Sequence, residues 1–510
     1  MSEPPIYTKT DGPRHRFDGA RAAVVTWRAV ENRPAPASYN RRYVWFISMV
    51  AAMGGLLFGY DWVVIGGAKP FYEAFFHLTA PSEVAWAMSS ALVGCLAGAL
   101  ACGLLSDRFG RKRLLILAAF LFAATSLGTA AAQTFPMFLF WRILGGVAIG
   151  LASNLSPMYI AEIAPAAVRG RLVSMNQLTI VIGILAAQCV NWLIAQPTPA
   201  GAAAAQILHS WNGQMGWRWM FGATAIPAAV FLASMFFAPE SPRWLAKTGQ
   251  TDRAIAVLTR ISSFNAKREI EDIRATLASE AATAGFRDLL EPKLLRILAL
   301  GVFLAVFQQW CGINVVFNYA QEIFAAAGYQ VSDILFNIVV TGVTNLVFTF
   351  VAIYAVDRAG RRPPMLLGAA GLAVIYFALG MSYYLGLRGW PALVATVAAV
   401  ACYACSLAPV TWVALSEIFP NRVRGAALSV AVSSLWIACF VLTYTFPFLN
   451  RTLGSAGVFW LYSAICAAGF GVLWRSLPET KDKTLEQIER ELIVPARRPA
   501  GGSPHRGAGL

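Results

Sequence analysis

Gly103-Leu-Leu-Ser-Asp107-Arg108-Phe-Gly110-Arg111-Lys112-Arg113 is a charged cassette in an otherwise oily chain, and Asp357-Arg358-Ala-Gly360-Arg361-Arg362 answers it about 250 residues later. Two more cassettes recur at similar separation. Glu162-Ile-Ala-Pro-Ala-Ala-Val-Arg169-Gly170-Arg171 returns as Glu417-Ile-Phe-Pro-Asn-Arg-Val-Arg424-Gly425, and Pro239-Glu240-Ser-Pro-Arg243 returns as Pro478-Glu479-Thr-Lys481. Three signals repeated in one order read as an internal duplication, each half carrying its own copy of a structural unit.

Of 510 residues, 57% are hydrophobic and 13% charged, against roughly 25% charged in soluble domains. Runs of about 20 apolar residues, enough to cross hydrocarbon, predict twelve spans. They lie near 44–66, 84–105, 114–132, 136–158, 173–195 and 217–238, then 294–317, 332–355, 365–386, 392–416, 424–448 and 455–476. A β-barrel would alternate short strands of about ten residues instead. The expected fold is all-α and membrane-embedded, with six-helix bundles over 43–238 and 294–477 related by pseudo-twofold symmetry. Between them, 239–293 is the one sizeable polar insert; Ala254, Ile255, Leu258 and Ile261, then Ile270, Ile273 and Leu277, give it amphipathic helices. Residues 1–42 form a polar tail without the look of a cleavable signal peptide, and 478–510 hold a second amphipathic segment (Leu485, Ile488, Leu492) and a disordered end.

The net charge of +15 is topogenic in its placement. Lys and Arg crowd 1–42, 106–113, 243–296, 358–362, 422–424 and 481–498, whereas alternate loops hold little beyond Lys69, Arg388 and Arg451. The positive-inside rule then puts both termini and the linker in the cytoplasm, with lipid, not nucleic acid, as the neighbour. The eight Cys all fall within expected spans, so reduced thiols are expected, and Cys402 and Cys405 read as packing. Asn450-Arg-Thr452 is a weak sequon in an expected outer loop. His15, His77, His209 and His505 lie outside the spans; no nucleophile triad or metal set forms, so neither an enzyme nor a cofactor is expected.

Polar residues inside spans are costly, so chemistry is sought there. Asp61, in Phe58-Gly-Tyr-Asp61, has no Lys or Arg within a helical turn. A lone carboxylate in low dielectric holds a proton more tightly, the minimum device for proton coupling; a structural ion pair is the other reading, and Arg142 suits either. The seventh span carries Gln308, Gln309, Asn314 and Asn318 within eleven residues, then Tyr319. Gln308 and Asn314 stand about 120° apart on a regular helix, so joint use requires unwinding, and Gly312 lies between them. Uncharged amides that both donate and accept suit a polyhydroxyl ligand; interhelical bonding is the alternative.

Taken together, the DRxGRR cassettes, PESPR, PETK, the GINxxFxYA run (312–320) and the SEIFP run (416–420) with its later Arg-Gly resemble the sugar porter family of the major facilitator superfamily over roughly 40–493. The retained Asp61 is most similar to bacterial xylose– and hexose–proton symporters. The resemblance implies sugar contacts at Gln177, Gln308, Gln309, Asn314, Asn345 and Trp412, with Phe58 and Tyr319 at aromatic gate or contact positions. It implies cytoplasmic gate charges at Asp107, Arg108, Arg111, Glu162, Arg169, Glu240 and Arg243, and at Asp357, Arg358, Arg361, Glu417, Arg424 and Glu479. Leu435 departs from the family's Gln or Asn before Trp436, and Asn318 from a frequent Tyr. The expectation is a monomeric carrier importing a monosaccharide with protons. A uniporter, an inositol or polyol carrier and a non-transporting sugar sensor are the alternatives.

Overall fold

The computed structural model describes residues 39–165, 167–197, 204–262, 266–280, 289, 291–420 and 423–481. Among these, no strand occurs. A segment in hydrocarbon must satisfy its backbone N–H and C=O groups internally, which makes helix the answer for each apolar run. Eleven helical segments are long and apolar enough to cross a membrane: Arg41–Phe76, Pro81–Phe109, Arg111–Ala130, Phe135–Ile163, Arg169–Ile194, Asn212–Phe237, Leu294–Asn318, Asp333–Tyr354, Arg362–Tyr384, Trp390–Ile418 and Arg424–Ser476. The last has 53 residues, more than twice what a hydrocarbon layer of about 30 Å needs. It breaks at Gly454 (φ 66°, ψ 170°), so it supplies two crossings, and the spans among the described residues number twelve, six on either side of the linker.

Most boundaries fall within a few residues of expectation. The first span is the exception, running on to Phe76 with Lys69 and Pro70 inside it. Lys69 does not end the helix because Glu73, one turn on, meets its ammonium at 2.8 Å and Glu322 meets it from the second half. Two other spans are broken. The tenth divides into Trp390–Ala404 and Leu407–Ile418, and the seventh into Pro292–Trp310 and Ile313–Asn318.

Small residues bring helices together backbone to backbone, as expected where lipid gives no hydrophobic drive to association. A side chain at Gly94 or Gly146 would strike the main chain of Ile143 or Ala91, which seats the second span on the fourth; Gly183 likewise meets Leu56 of the first. In the linker, helices Pro242–Lys247, Thr251–Ile261 and Ala266–Glu280 share a small core of Trp244, Leu245, Ala254, Leu258, Ala266 and Ile270. Trp244 Nε1 donates to the Asp107 carbonyl at 2.9 Å, tying this core to the second span. The C-terminal face of Leu485, Ile488 and Leu492 lies outside the described residues.

The two halves meet through rings near the ends of spans remote from the cassettes. Trp86 of the second span packs on Phe440 and Tyr444 of the eleventh, at 6.0 and 5.7 Å between centroids. Trp192 of the fifth lies 5.9 Å from Phe336 of the eighth. We call this the far face, and the other the cassette face.

Candidate functional site

On the cassette face the duplication is visible atom by atom. In the first half Arg111 Nη2 pairs with Glu162 at 3.0 Å, and Glu240 accepts the backbone N–H groups of Arg111 and Lys112 at 2.9 and 3.1 Å. In the second, Arg361 Nη2 pairs with Glu417 at 2.9 Å, and Glu479 accepts from the N–H groups of Arg361 and Arg362 at 2.9 and 3.1 Å. Ser241 and Thr480 each donate a hydroxyl to the glutamate of that pair. Each carboxylate thus sits at the start of a span helix, where free N–H groups and the helix dipole favour an anion. Burial pushes Glu479 upward, but the N–H donors of Arg361, Lys481, Arg362 and Thr480 outweigh it and hold the carboxyl below its usual range. Gly110 (φ 89°) and Gly360 (φ 82°) make the turns, and a Cβ there would come within 2.5 and 2.7 Å of the Glu240 and Glu479 carboxylates.

The remaining cassette charges play smaller parts. Asp107 takes Arg111 at 3.4 Å and Lys247 of the linker at 2.9 Å. Arg169 and Arg424 each donate to a carbonyl five residues back, Ala164 and Phe419, at 3.3 Å. Arg108 and Arg358 lie over Phe109 and Tyr354 at 5.3 and 4.2 Å. Arg243 is half-buried, and the side chain of Asp357 lies outside the described residues. The ion pairs named on this face each stay within one half and the linker.

Asp61 is not solitary. Arg142 of the fourth span donates to its Oδ1 at 2.8 Å, the Arg142 side chain being 3% and the Asp61 side chain 9% exposed. Arg142, named from the sequence as a possible partner, comes from 81 residues away, outside any search within one helical turn of Asp61. Asp61 Oδ2 is buried without a hydrogen bond to another protein group, so the carboxylate keeps an acceptor in reserve.

The seventh span unwinds at Gly312 (φ 88°), with the Tyr462 ring packed where a side chain would project. The break brings together amides that a straight helix would separate. Gln309 donates to Gln308 Oε1 at 3.1 Å, and Asn314 donates to Gln309 Oε1 and to Cys439 of the eleventh span, the latter at 3.5 Å. All three amides are buried. Asn318 is buried with Oδ1 unpartnered by protein. Tyr319 donates to the Thr443 carbonyl at 2.7 Å and lies 4.2 Å from the Phe446 ring.

Other expected contacts stand apart from this chain of amides. Asn345 is buried on the eighth span and Gln177 half-buried on the fifth; neither side chain joins the amide chain. Trp412 is 42% exposed and makes no hydrogen bond or ring contact with those amides. Leu435 is buried beside Trp436, whose ring lies 6.1 Å from Phe58 and 6.0 Å from Trp62. Trp62 and Cys439 were missed in the sequence, since an apolar residue in a span gives no signal of its own. Lys69 did give one, as one of three cations, with Arg388 and Arg451, on the sparse side. An apolar cleft of about 490 Å³ between the ninth and tenth spans, lined by Val374, Met381, Trp390 and Val394 among others, holds none of the candidate residues.

The model of the sugar (and other) transporter family matches residues 47–492. The chain is 38% identical to the D-xylose-proton symporter of Escherichia coli K12 over 487 residues, covering 88% of this chain and 96% of that one. It is 36% identical to the arabinose-proton symporter of Bacillus subtilis 168, covering 90% and 97%, and 37% identical to the galactose-proton symporter of Escherichia coli K12, covering 89% and 95%. Among solved structures, the inward open conformation of the Escherichia coli xylose transporter XylE matches at TM-score 0.76 and 37% identity, covering 88% of this chain and 99% of that one. XylE bound to 6-bromo-6-deoxy-D-glucose matches at 0.74 and 38%, covering 88% and 99%. With matched cassettes in two six-span halves, a broken seventh span and this similarity along most of its length, the chain belongs to the sugar transporter family of the major facilitator superfamily.

Proposed function

We propose that this chain imports a monosaccharide, a hexose or pentose, across a cell membrane by proton symport. Residues 43–238 and 294–477 act as the rocking halves, 239–293 as the linker, and both termini face the cytoplasm. It works as a monomer in the bilayer and performs no covalent chemistry. The observation that carries the reading is the buried chain Gln308–Gln309–Asn314 at the break of the seventh span. Buried amides that satisfy one another retain donors and acceptors for hydroxyl groups, and a broken helix re-forms its contacts as the halves move.

Coupling is assigned to Asp61 and Arg142. A proton on Asp61 removes the charge that holds Arg142, leaving a guanidinium in low dielectric that favours a different arrangement. Sugar and proton are then linked through the first and fourth spans. Gln177, Asn345 and Trp412 complete the site from other spans when it closes around sugar. The cassette charges act as cytoplasmic gates.

A uniporter is the second reading, favoured by the 2.8 Å contact itself, which a purely structural ion pair would also show. Counterflow of labelled hexoses, pentoses and inositol in proteoliposomes, with and without an inward proton gradient, separates the two. Accumulation that follows the gradient supports symport; exchange indifferent to the gradient supports uniport; no exchange of any sugar removes the transport reading.

A further inference from the structure

We infer that Lys69 is a positioning residue of the transport cycle, acting through Glu322 to fasten the far piece of the seventh span and shut the far face. The inference rests on the transport reading above.

Lys69 lies on the first span and is 5% exposed, an environment in which an unpaired ammonium is costly. Its Nζ meets Glu322 of the second half and Glu73 of its own helix, the latter at 2.8 Å, and lies 5.7 Å over the Tyr319 ring. The other ion pairs named above stay within one half and the linker; this one crosses between halves.

Glu322 belongs to the short helix Ala320–Ala326, directly after Ile313–Asn318, which carries Asn314 and Asn318. The break at Gly312 sets these two helices apart from Pro292–Trp310, while across Tyr319 they stay joined, its N–H donating to the Val315 carbonyl at 2.8 Å and its carbonyl accepting from Ile323 at 3.2 Å. A Cβ on Gly66 would lie 3.0 Å from the Asn318 carbonyl and 3.1 Å from that of Phe317, so the first span and this piece touch main chain to main chain, and Lys69 lies three residues further along. What Lys69 holds is therefore the segment bearing two of the site amides.

The rest of the seam is weakly fastened by polar contacts. Neither amide atom of Gln188 has a hydrogen bond to protein, nor has Asn337 Nδ2 or Asn318 Oδ1. Water reaching these groups on opening satisfies them, so they favour the open far face, and the cross-half ion pair opposes them. Glu73 gives the device its reversibility. When Glu322 departs with its helix, Lys69 keeps a carboxylate at i,i+4, so opening strands no cation, and both states of the seam remain accessible.

The test is sided thiol labelling of the full-length protein in liposomes, with Asn337→Cys as reporter, since Asn337 is buried on the eighth span beside Phe336. A membrane-impermeant maleimide is applied to the far face, and labelling is compared with that of protein lacking the reporter. Labelling is expected to be slow with Lys69 intact and several-fold faster in Lys69→Met and Glu322→Gln. It should return toward the slow rate in Lys69→Arg and in the exchanged pair Lys69→Glu with Glu322→Lys. Loss of packing alone would not be rescued by exchange. If Lys69→Met fails to fold, Glu322→Gln and the exchanged pair carry the test. Equal labelling in all of these overturns the inference. Sugar counterflow is measured on the same liposomes, and its absence in the parent protein overturns the transport reading instead, leaving the labelling result to stand.

Discussion

Gln309 occupies the middle of the amide chain, donating to Gln308 and accepting from Asn314. Gln309→Ala should therefore do more than remove one contact to sugar. The direct hydrogen bond is worth about 1 kcal/mol. Gln308 and Asn314 also lose the neighbour that fixes them, and ordering each on binding costs about 0.5–1.5 kcal/mol. The sum, about 2–4 kcal/mol, corresponds to about 30- to 900-fold weaker binding. Gln308, at the end of the chain, unties a single neighbour, so Gln308→Ala should cost about 1.5–2.5 kcal/mol, about 10- to 70-fold. Titration calorimetry of purified protein with a panel of hexoses and pentoses reads both. Should Gln309→Ala and Asn314→Ala bind every sugar as the parent does, the site lies elsewhere. A larger loss in Gln308→Ala than in Gln309→Ala would refute the chain argument while leaving the site in place.

Three further expectations follow from other parts of the molecule. Leu435→Gln supplies an amide where the chain has an apolar wall, and should change the affinity ratio between sugars by about 1 kcal/mol, several-fold; an unchanged rank order in a competition assay removes this residue from selectivity. Gly110→Ala and Gly360→Ala force a side chain into a conformation that costs about 1–3 kcal/mol and into the capping carboxylates, so both should lower the thermal unfolding midpoint; midpoints equal to the parent's would show that the turns relax freely. Glu479→Gln tests the depressed carboxyl. Its stabilisation is fully present above the unfolded glutamate value of about 4.3 and is lost as pH falls through the lower folded value, so the stability gap between parent and variant should close in acid. A gap constant from neutral pH to below that range contradicts the assignment.

The fold was legible because the duplication and the apolar runs state it directly, and lipid leaves helix as the answer for each run. Local charge reading was less complete. Lys69 stood out as a cation on the sparse face, but its meaning depends on Glu322, 253 residues away, and no spacing rule connects them. Asp61 was legible as an intramembrane acid, whereas the contact with Arg142 required the first and fourth spans to be placed side by side. The break at Gly312 was anticipated from the angular separation of Gln308 and Asn314. Trp62 shows the limit, since its role beside Phe58 and Trp436 depends on which face meets the other half.

The central claim is that Asp61 carries the coupled proton. Its most direct measurement compares sugar accumulation under an inward proton gradient with gradient-free counterflow, in the parent and in Asp61→Asn. The amide mimics the protonated acid, so the variant should exchange sugar while failing to concentrate it. Accumulation by Asp61→Asn at the parent's level, following the gradient, would contradict the account.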